Sequence, residues 1–269
     1  MQPVRIIAKI DIKDNSIVKG ISLEGLRKLG DPYDFAKYYF ENNIDEIIFH
    51  DVTASLFGNN CLTKIIDKVC NNLFIPITIG GGLRNLKDIE NILKRGADRV
   101  MLNSAVVKNI SFLDKAVKSF GSSNIAINVE YREINGEYLV FYEYGRQPTK
   151  LNLFEWIKKV ENTGAGEIVL TSIDKEGYGK GFDYNIIKKL ENICKVPITI
   201  HGGCSNINHI DKIFKYSRKI SGVALSSILH YNYLKKNNIL NLSISNKWEN
   251  CSIKLIKKKI SKNNILIRK

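Results

Sequence analysis

Short runs of β-branched and apolar residues alternate with longer stretches whose apolar positions recur every three or four residues, along almost the whole chain. The short runs, at 5–12, 46–51, 76–79, 99–102, 125–130, 167–171, 197–200 and 222–225, read as strands. The longer stretches read as amphipathic helices. Those at 32–42, 86–95 and 153–163 are clear examples, each stopping at or near Gly or Asn. A strand followed by a helix predicts a parallel sheet, and eight such units favour closure into a (βα)8 TIM barrel over an open sheet. In such a barrel ligands and chemistry belong to the C-terminal ends of the strands, and the opposite rim serves stability.

The pattern also repeats. Residues 75–107, IPITIGGGLRNLKDIENILKRGADRVMLNSAVV, are echoed by VPITIHGGCSNINHIDKIFKYSRKISGVALSSIL later in the chain. A shift of 121 positions carries Pro76 onto Pro197, Gly81 onto Gly202, Gly82 onto Gly203 and Glu46 onto Glu167. A shift of 119 carries Asp11 onto Glu130. The barrel is therefore expected to consist of two duplicated half-barrels.

Composition narrows the class. With 269 residues and 44% hydrophobic content the chain can bury one sizeable core, so 1–269 reads as a single barrel domain with additional residues near 231–250. Its first residues are too charged for a secretory leader and no apolar run is long enough to span a membrane, so a cytoplasmic protein is expected. Cys61, Cys70, Cys194, Cys204 and Cys251 lack paired spacing and read as buried, reduced thiols. Four histidines form no metal signature, and no metal or other cofactor is expected. The net charge of +14 suits a nucleic-acid partner, but the densest basic run, 254–262, carries isoleucines at helical spacing. It reads as a closing helix with a solvated face, and no nucleic-acid partner is expected.

At the C-terminal rim the repeat places Gly81-Gly82 and Gly202-Gly203 directly after strands. Paired glycines let backbone N–H groups approach a phosphate, and a following helix N-terminus favours the anion. Asn103-Ser104 and Ser226-Ser227 add polar side chains at the next strand end in each half, so two phosphate sites and a bisphosphorylated small molecule are expected. Asp11 and Glu130 end opposite strands and are candidates for acid and base.

The other rim carries Arg5, Glu46, Arg99 and Glu167, each opening a strand. Two cations and two anions close a neutral ring, which serves either as a salt-bridge plug or as a gate. Strand parity puts Ile7, Lys9 and Asp11 on the face of Arg5, so Lys9 projects into the lumen. A buried ammonium needs a carboxylate, and Glu130, with its longer side chain, is the expected partner. That pairing predicts an ionised Glu130 as base and leaves Asp11 as acid.

RIIAKIDIKDNSIVKG, GDP at 30–32, DVTAS at 51–55, PITIGGGLR, GRQPT at 145–149, GAGEIVLTSIDKEG and the Gly202-Gly203 corner resemble the cyclase subunit of imidazole glycerol phosphate synthase, in order and over nearly the whole chain. The resemblance implies a lyase and cyclase that takes ammonia from a glutaminase partner docked at the N-terminal rim, near Asp98. Ammonia passes the Arg5, Glu46, Arg99 and Glu167 gate and attacks the ketose carbonyl of a phosphoribulosyl formimino nucleotide. Acid and base steps then release aminoimidazole carboxamide ribotide and close the imidazole ring. Lys9, Lys19, Asp51, Thr171, Asp174 and Glu176 are further expected around the substrate, with Gly177 at the second phosphate corner.

Four positions depart from the family: Lys9 replaces cysteine, Glu130 and Glu176 replace aspartate, and Ser123 replaces the usual glutamine. They cluster in the site. An alternative is therefore a paralogue that supplies ammonia for amidino or amino groups on surface sugars. A phosphoribosyl isomerase shares the duplicated barrel but needs no ammonia, which the four-charge ring and DVTAS argue against.

Overall fold

The computed structural model describes residues 3–54, 63–239, 247–263 and 265–268. In chain order its strands are β1 Arg5–Lys13, β2 Ser16–Ile21, β3 Glu24–Gly30, β4 Glu46–Asp51, β5 Ile77–Gly80, β6 Arg99–Leu102, β7 Ile125–Ile134, β8 Glu137–Tyr142, β9 Gln147–Asn152, β10 Glu167–Ser172, β11 Ile198–His201 and β12 Ile220–Leu225. Eight of these, β1, β4, β5, β6, β7, β10, β11 and β12, pair in parallel, and the β12–β1 and β7–β10 ladders close the circle. The barrel is the architecture expected from the pattern. β4 and β10 are buried at every position because one face meets helices and the other fills the lumen.

Strand ends differ from expectation where backbone chemistry decides them. β5 and β11 begin one residue after Pro76 and Pro197, since proline has no N–H to give to a ladder. β1 and β7 run on past the barrel because each turns into an antiparallel hairpin, β1–β2–β3 and β7–β8–β9, which the pattern of short apolar runs did not reveal. The turns were readable. Asp14-Asn15 and Asn135-Gly136 take positive φ at both central residues, the geometry that two-residue hairpin loops require.

Helices follow their caps. Asp31 accepts from the N–H groups of Tyr33 and Asp34 ahead of helix Pro32–Glu41, Asn85 and Asp88 form a capping box on Leu86–Lys94, and Asn152 caps Leu153–Asn162. The closing helix Ile253–Ser261 buries Ile253, Ile256 and Ile260. Its basic face is not wholly solvated, because Lys257 reaches Asp45 at 2.5 Å. Helix Ser227–Lys236 continues through the first part of the 231–250 segment, and Trp248 stacks on Tyr231 with ring centroids 5.6 Å apart. Ser55, Cys61 and residues 240–246 lie outside the described residues. Cys194, Cys204 and Cys251 are buried free thiols, while Cys70 is only half-buried. Among the described residues no helix is long and apolar enough to cross a membrane.

Candidate active site

Strand parity stacks the lumen in layers. At the N-terminal rim Arg5 pairs with Glu46 at 2.7 Å and Glu167 at 2.6 Å, and Arg99 pairs with Glu46 at 2.9 Å and directly with Glu167. Thr78 and Thr199 donate to Glu46 and Glu167 at 2.8 and 2.5 Å, so both oxygens of each buried carboxylate accept a hydrogen bond. Burial alone would raise the Glu167 carboxyl, but Arg5 and Arg99 outweigh it and hold it below its usual range. Two residues further along each strand, Ile7, Ile48, Met101, Ala126, Val169 and Ala224 form a separate apolar layer.

Above that layer lies the mouth. Lys9 is inaccessible to solvent, as the parity argument required, but its ammonium sits on Asp11 Oδ1, not on Glu130. The reason is local: positions i and i+2 of one strand share a face, so the lysine stem reaches the carboxylate beside it before it can cross the lumen. Glu130 is instead held by Asn128 Nδ2 at 3.0 Å and the Gly145 N–H at 2.8 Å. Asp11 Oδ2 accepts from the Tyr144 hydroxyl at 3.1 Å and lies 3.8 Å from the Lys19 ammonium, and His50 Nδ1 stands 3.5 Å from Oδ1.

These contacts reverse the expected division of charge. Burial would raise the Asp11 carboxyl, but Lys9, His50 and Lys19 together hold it well below its usual range. Burial raises Glu130, and His50, the Gly145 N–H and Lys9 only partly offset it. Asp11 is thus the ionised member and Glu130 the one inclined to keep its proton. Lys19 also pairs directly with Glu176, and burial, countered by Asp11, brings its ammonium down to about 8. His201 Nε2 lies 3.3 Å from Glu176, and burial with Lys9 and Lys19 nearby keeps its imidazole neutral.

The glycine corners flank this cluster. Gly81 and Gly203 take φ of 100° and 98°, and a Cβ at either would come within 2.2 Å of a backbone oxygen, of Asp51 and of Gly181 respectively. Only glycine fits there. Gly81 and Gly82 line a cavity of about 590 Å³ together with Asp51, Asn103, Ser104, Asn128 and Tyr144. Asp51 Oδ1 caps Thr53 and Ala54, and among the described residues Asp51 Oδ2 and the buried Asn103 Oδ1 have no hydrogen-bond partner. Ser104 Oγ accepts from the Glu143 N–H at 3.1 Å.

Gly202 and Gly203, with Gly177, Ser226, Ser227 and Trp248, line a cavity of only about 10 Å³. Ser226 spends its hydroxyl on the Lys9 carbonyl at 2.7 Å. Lys247 donates to the Gly177 carbonyl at 3.3 Å, and Glu249 accepts from the Ile207 N–H at 2.6 Å, which fastens this segment over the corner.

Thr171 donates to Asn128 at 3.0 Å and so steadies the amide that holds Glu130. Asp174 is not brought into the mouth. It pairs with Arg132 at 3.0 Å and accepts from the Glu133 N–H, bracing the β7–β8 hairpin from outside. Sequence reasoning missed His50, Asn128, Tyr144 and His201. Asn128 shares the parity of Glu130, and His201 stands at the repeat position of Gly80, signals that were present; Tyr144 follows an unrecognised hairpin and had none. Among the described residues no group of His, Cys, Asp and Glu is arranged to hold a metal ion.

A family model described as histidine biosynthesis protein matches residues 5–235. The subunit HisF of imidazole glycerol phosphate synthase from Legionella pneumophila is 40% identical over 212 residues, covering 78% of this chain and 100% of that protein. The HisF subunits of an Exiguobacterium species and of Staphylococcus saprophyticus are 39% and 38% identical, covering 84% of this chain and 88% and 90% of theirs. With its barrel, its lumen layers and its mouth all inside the matched span, the chain belongs to the histidine-biosynthesis family, among the HisF subunits of imidazole glycerol phosphate synthase.

Proposed function

We propose that the protein is the ammonia-using synthase subunit of imidazole glycerol phosphate synthase, a cytoplasmic lyase and cyclase that acts with a glutaminase and needs no cofactor. The relatives named above favour this over a sugar-modifying counterpart. The observation that carries the reading is the continuous axis of the barrel: a four-charge ring at one end, an apolar layer, and two unequal carboxyls at the other. A neutral ring over an apolar passage suits an uncharged nucleophile such as ammonia, because an ion would have to shed its water there.

In this reading the glutaminase docks at the N-terminal rim, where Asp98, which accepts from the Ile77 N–H at 2.8 Å, lines a dent with the 84% exposed Phe74. Ammonia passes Arg5, Glu46, Arg99 and Glu167 and reaches the ketose carbonyl of a phosphoribulosyl formimino nucleotide held by its two phosphates at the glycine corners. Asp11 and Glu130 move the protons that release aminoimidazole carboxamide ribotide and close the imidazole ring. The test supplies ammonium salt and the formimino nucleotide to the purified protein and follows both products. Formation of both is expected, and absence of turnover at saturating ammonia overturns the reading.

A further inference from the structure

One turn touches both carboxyls of the mouth. Glu143, Tyr144 and Gly145 take φ of 54°, 58° and 72°, three successive left-handed residues of which only the last is glycine. Side chains in that region are strained and persist where the surrounding structure fixes them, most often at functional sites. Here the strain sends the Tyr144 hydroxyl to Asp11 Oδ2 and the Gly145 N–H to Glu130 Oε2. The Tyr144 ring is buried, with His50 tilted against it at 5.7 Å and the Arg146 guanidinium over it at 5.6 Å. On the other side of Asp11 the ammonium of Lys9 occupies Oδ1. Lys9 is one of the most deeply buried large side chains of the protein, and no other carboxylate bonds it among the described residues.

Resting on the reaction given above, we propose that Lys9 and Tyr144 are positioning residues that clamp Asp11, one on each oxygen, and so make Asp11 the proton acceptor of the site and Glu130 the donor. The two contacts differ in kind. Lys9 brings a full charge that stabilises the carboxylate over the acid, and Tyr144 brings a neutral donor that fixes its direction. A carboxylate held this way is a weaker base, but it is charged at every working pH and aimed at one point. In a turnover Asp11 removes one proton from the reacting nitrogen and Glu130 gives one to the leaving ribotide, so the pair exchanges acid for base and solvent restores both.

The charge around Asp11 comes from every side of the barrel: Lys9 on its own strand, Lys19 on β2, His50 on β4, Glu130 on β7, Tyr144 after β8, Glu176 after β10, His201 on β11 and His230 on helix Ser227–Lys236. Lys19 is shared between Asp11 and Glu176, whereas among the described residues Lys9 pairs with Asp11 alone. His230, which bonds the Tyr39 hydroxyl at 2.6 Å, and His201 are both kept neutral by burial.

The test follows the 13C resonance of the Asp11 carboxyl carbon against pH in wild type, Lys9→Met and Tyr144→Phe, with Asp11→Asn for assignment. An upward shift of the titration midpoint is expected in Lys9→Met, and a smaller one in the same direction in Tyr144→Phe, which removes a single oxygen and so keeps the fold. The acid limb of kcat/KM should move to higher pH in the same order, a change that a merely structural lysine would not cause. An unmoved midpoint in both variants overturns the clamp. The resonance needs no substrate, so a shifted midpoint in a protein that never turns over the nucleotide would sink the proposed reaction and leave the clamp standing.

Discussion

The corner at Gly81-Gly82 opens onto a cavity of about 590 Å³, whereas its repeat at Gly202-Gly203 opens onto about 10 Å³, beside a cavity of about 250 Å³ that Gly177, Ser227 and Trp248 also line. Both corners share their strand, their glycine pair, their left-handed backbone and the helix that follows. A segment outside the repeat borders only the second corner: Trp248 lines it, with Lys247 and Glu249 tying its neighbours to the loops beneath. The same contrast runs through the carboxyls, since its cations hold Asp11 of the first half well below the usual carboxylate range while burial raises Glu130 of the second. A duplicated backbone therefore sets two matching corners, while unduplicated side chains make their surroundings differ.

The largest effect tests what the halves share. Glu167 is the single member of the four-charge ring drawn from the second half, and Glu167→Gln leaves two arginines with one carboxylate. Breaking a buried pair this way costs about 3 kcal/mol, the low end of the range because both guanidiniums keep some solvent. Denaturant unfolding measures it, and an unchanged midpoint would mean that the ring contributes nothing to holding the halves together. Next comes Asp11→Asn, which keeps size but cannot exchange a proton; ammonia-dependent turnover should fall by about 10²-fold or more while bisphosphate binding survives. A wild-type rate would make Asp11 structural and the contrast between the two acids irrelevant.

The pH dependence of stability sharpens the same contrast, because the signs are opposite. The folded-state value of Asp11 is depressed, so its ionised form contributes stability that is present above the ordinary carboxylate range and lost as pH falls through the folded value. That of Glu130 is raised, so its contribution is present below the ordinary range and lost as pH rises through the folded value. Relative to wild type, Asp11→Asn should be most destabilised at neutral pH, and Glu130→Gln should gain as pH rises. Thermal melts across pH check this, and parallel curves would contradict the assigned charges.

Smaller effects separate the corners themselves. Crystals soaked with rising concentrations of inorganic phosphate should fill the Gly81-Gly82 corner first, and the second only with a shift of Trp248; equal filling of both with Trp248 unmoved would abolish the asymmetry. Glu249→Ala should cost about 1 kcal/mol, the scale of a lost helix cap, and lower the concentration at which the second corner fills. Filling at the wild-type concentration would show that the 247–249 segment does not control that corner.

Local pattern carried a great deal of this molecule. Alternation of strand and helix periods, proline-glycine punctuation and the 121-residue repeat were enough to draw eight strands, both glycine corners, the ring residues and the two acids, because each depends on neighbours in sequence. The hairpins were equally local, in the positive-φ pairs Asp14-Asn15 and Asn135-Gly136, but their outermost strands, β3 and β9, carry no run of apolar residues. What sequence could not decide was choice between partners. Lys9 needed a carboxylate by burial alone, but whether Asp11 or Glu130 answered it depended on how far a side chain reaches along a strand and across a lumen, which is a matter of angstroms. The arrival of Tyr144 at Asp11, and of Trp248 in one corner and not the other, joins segments more than a hundred and about forty residues apart. No periodicity records such meetings; the closed barrel makes them, by bringing strand ends and loops from every part of the chain to one small circle.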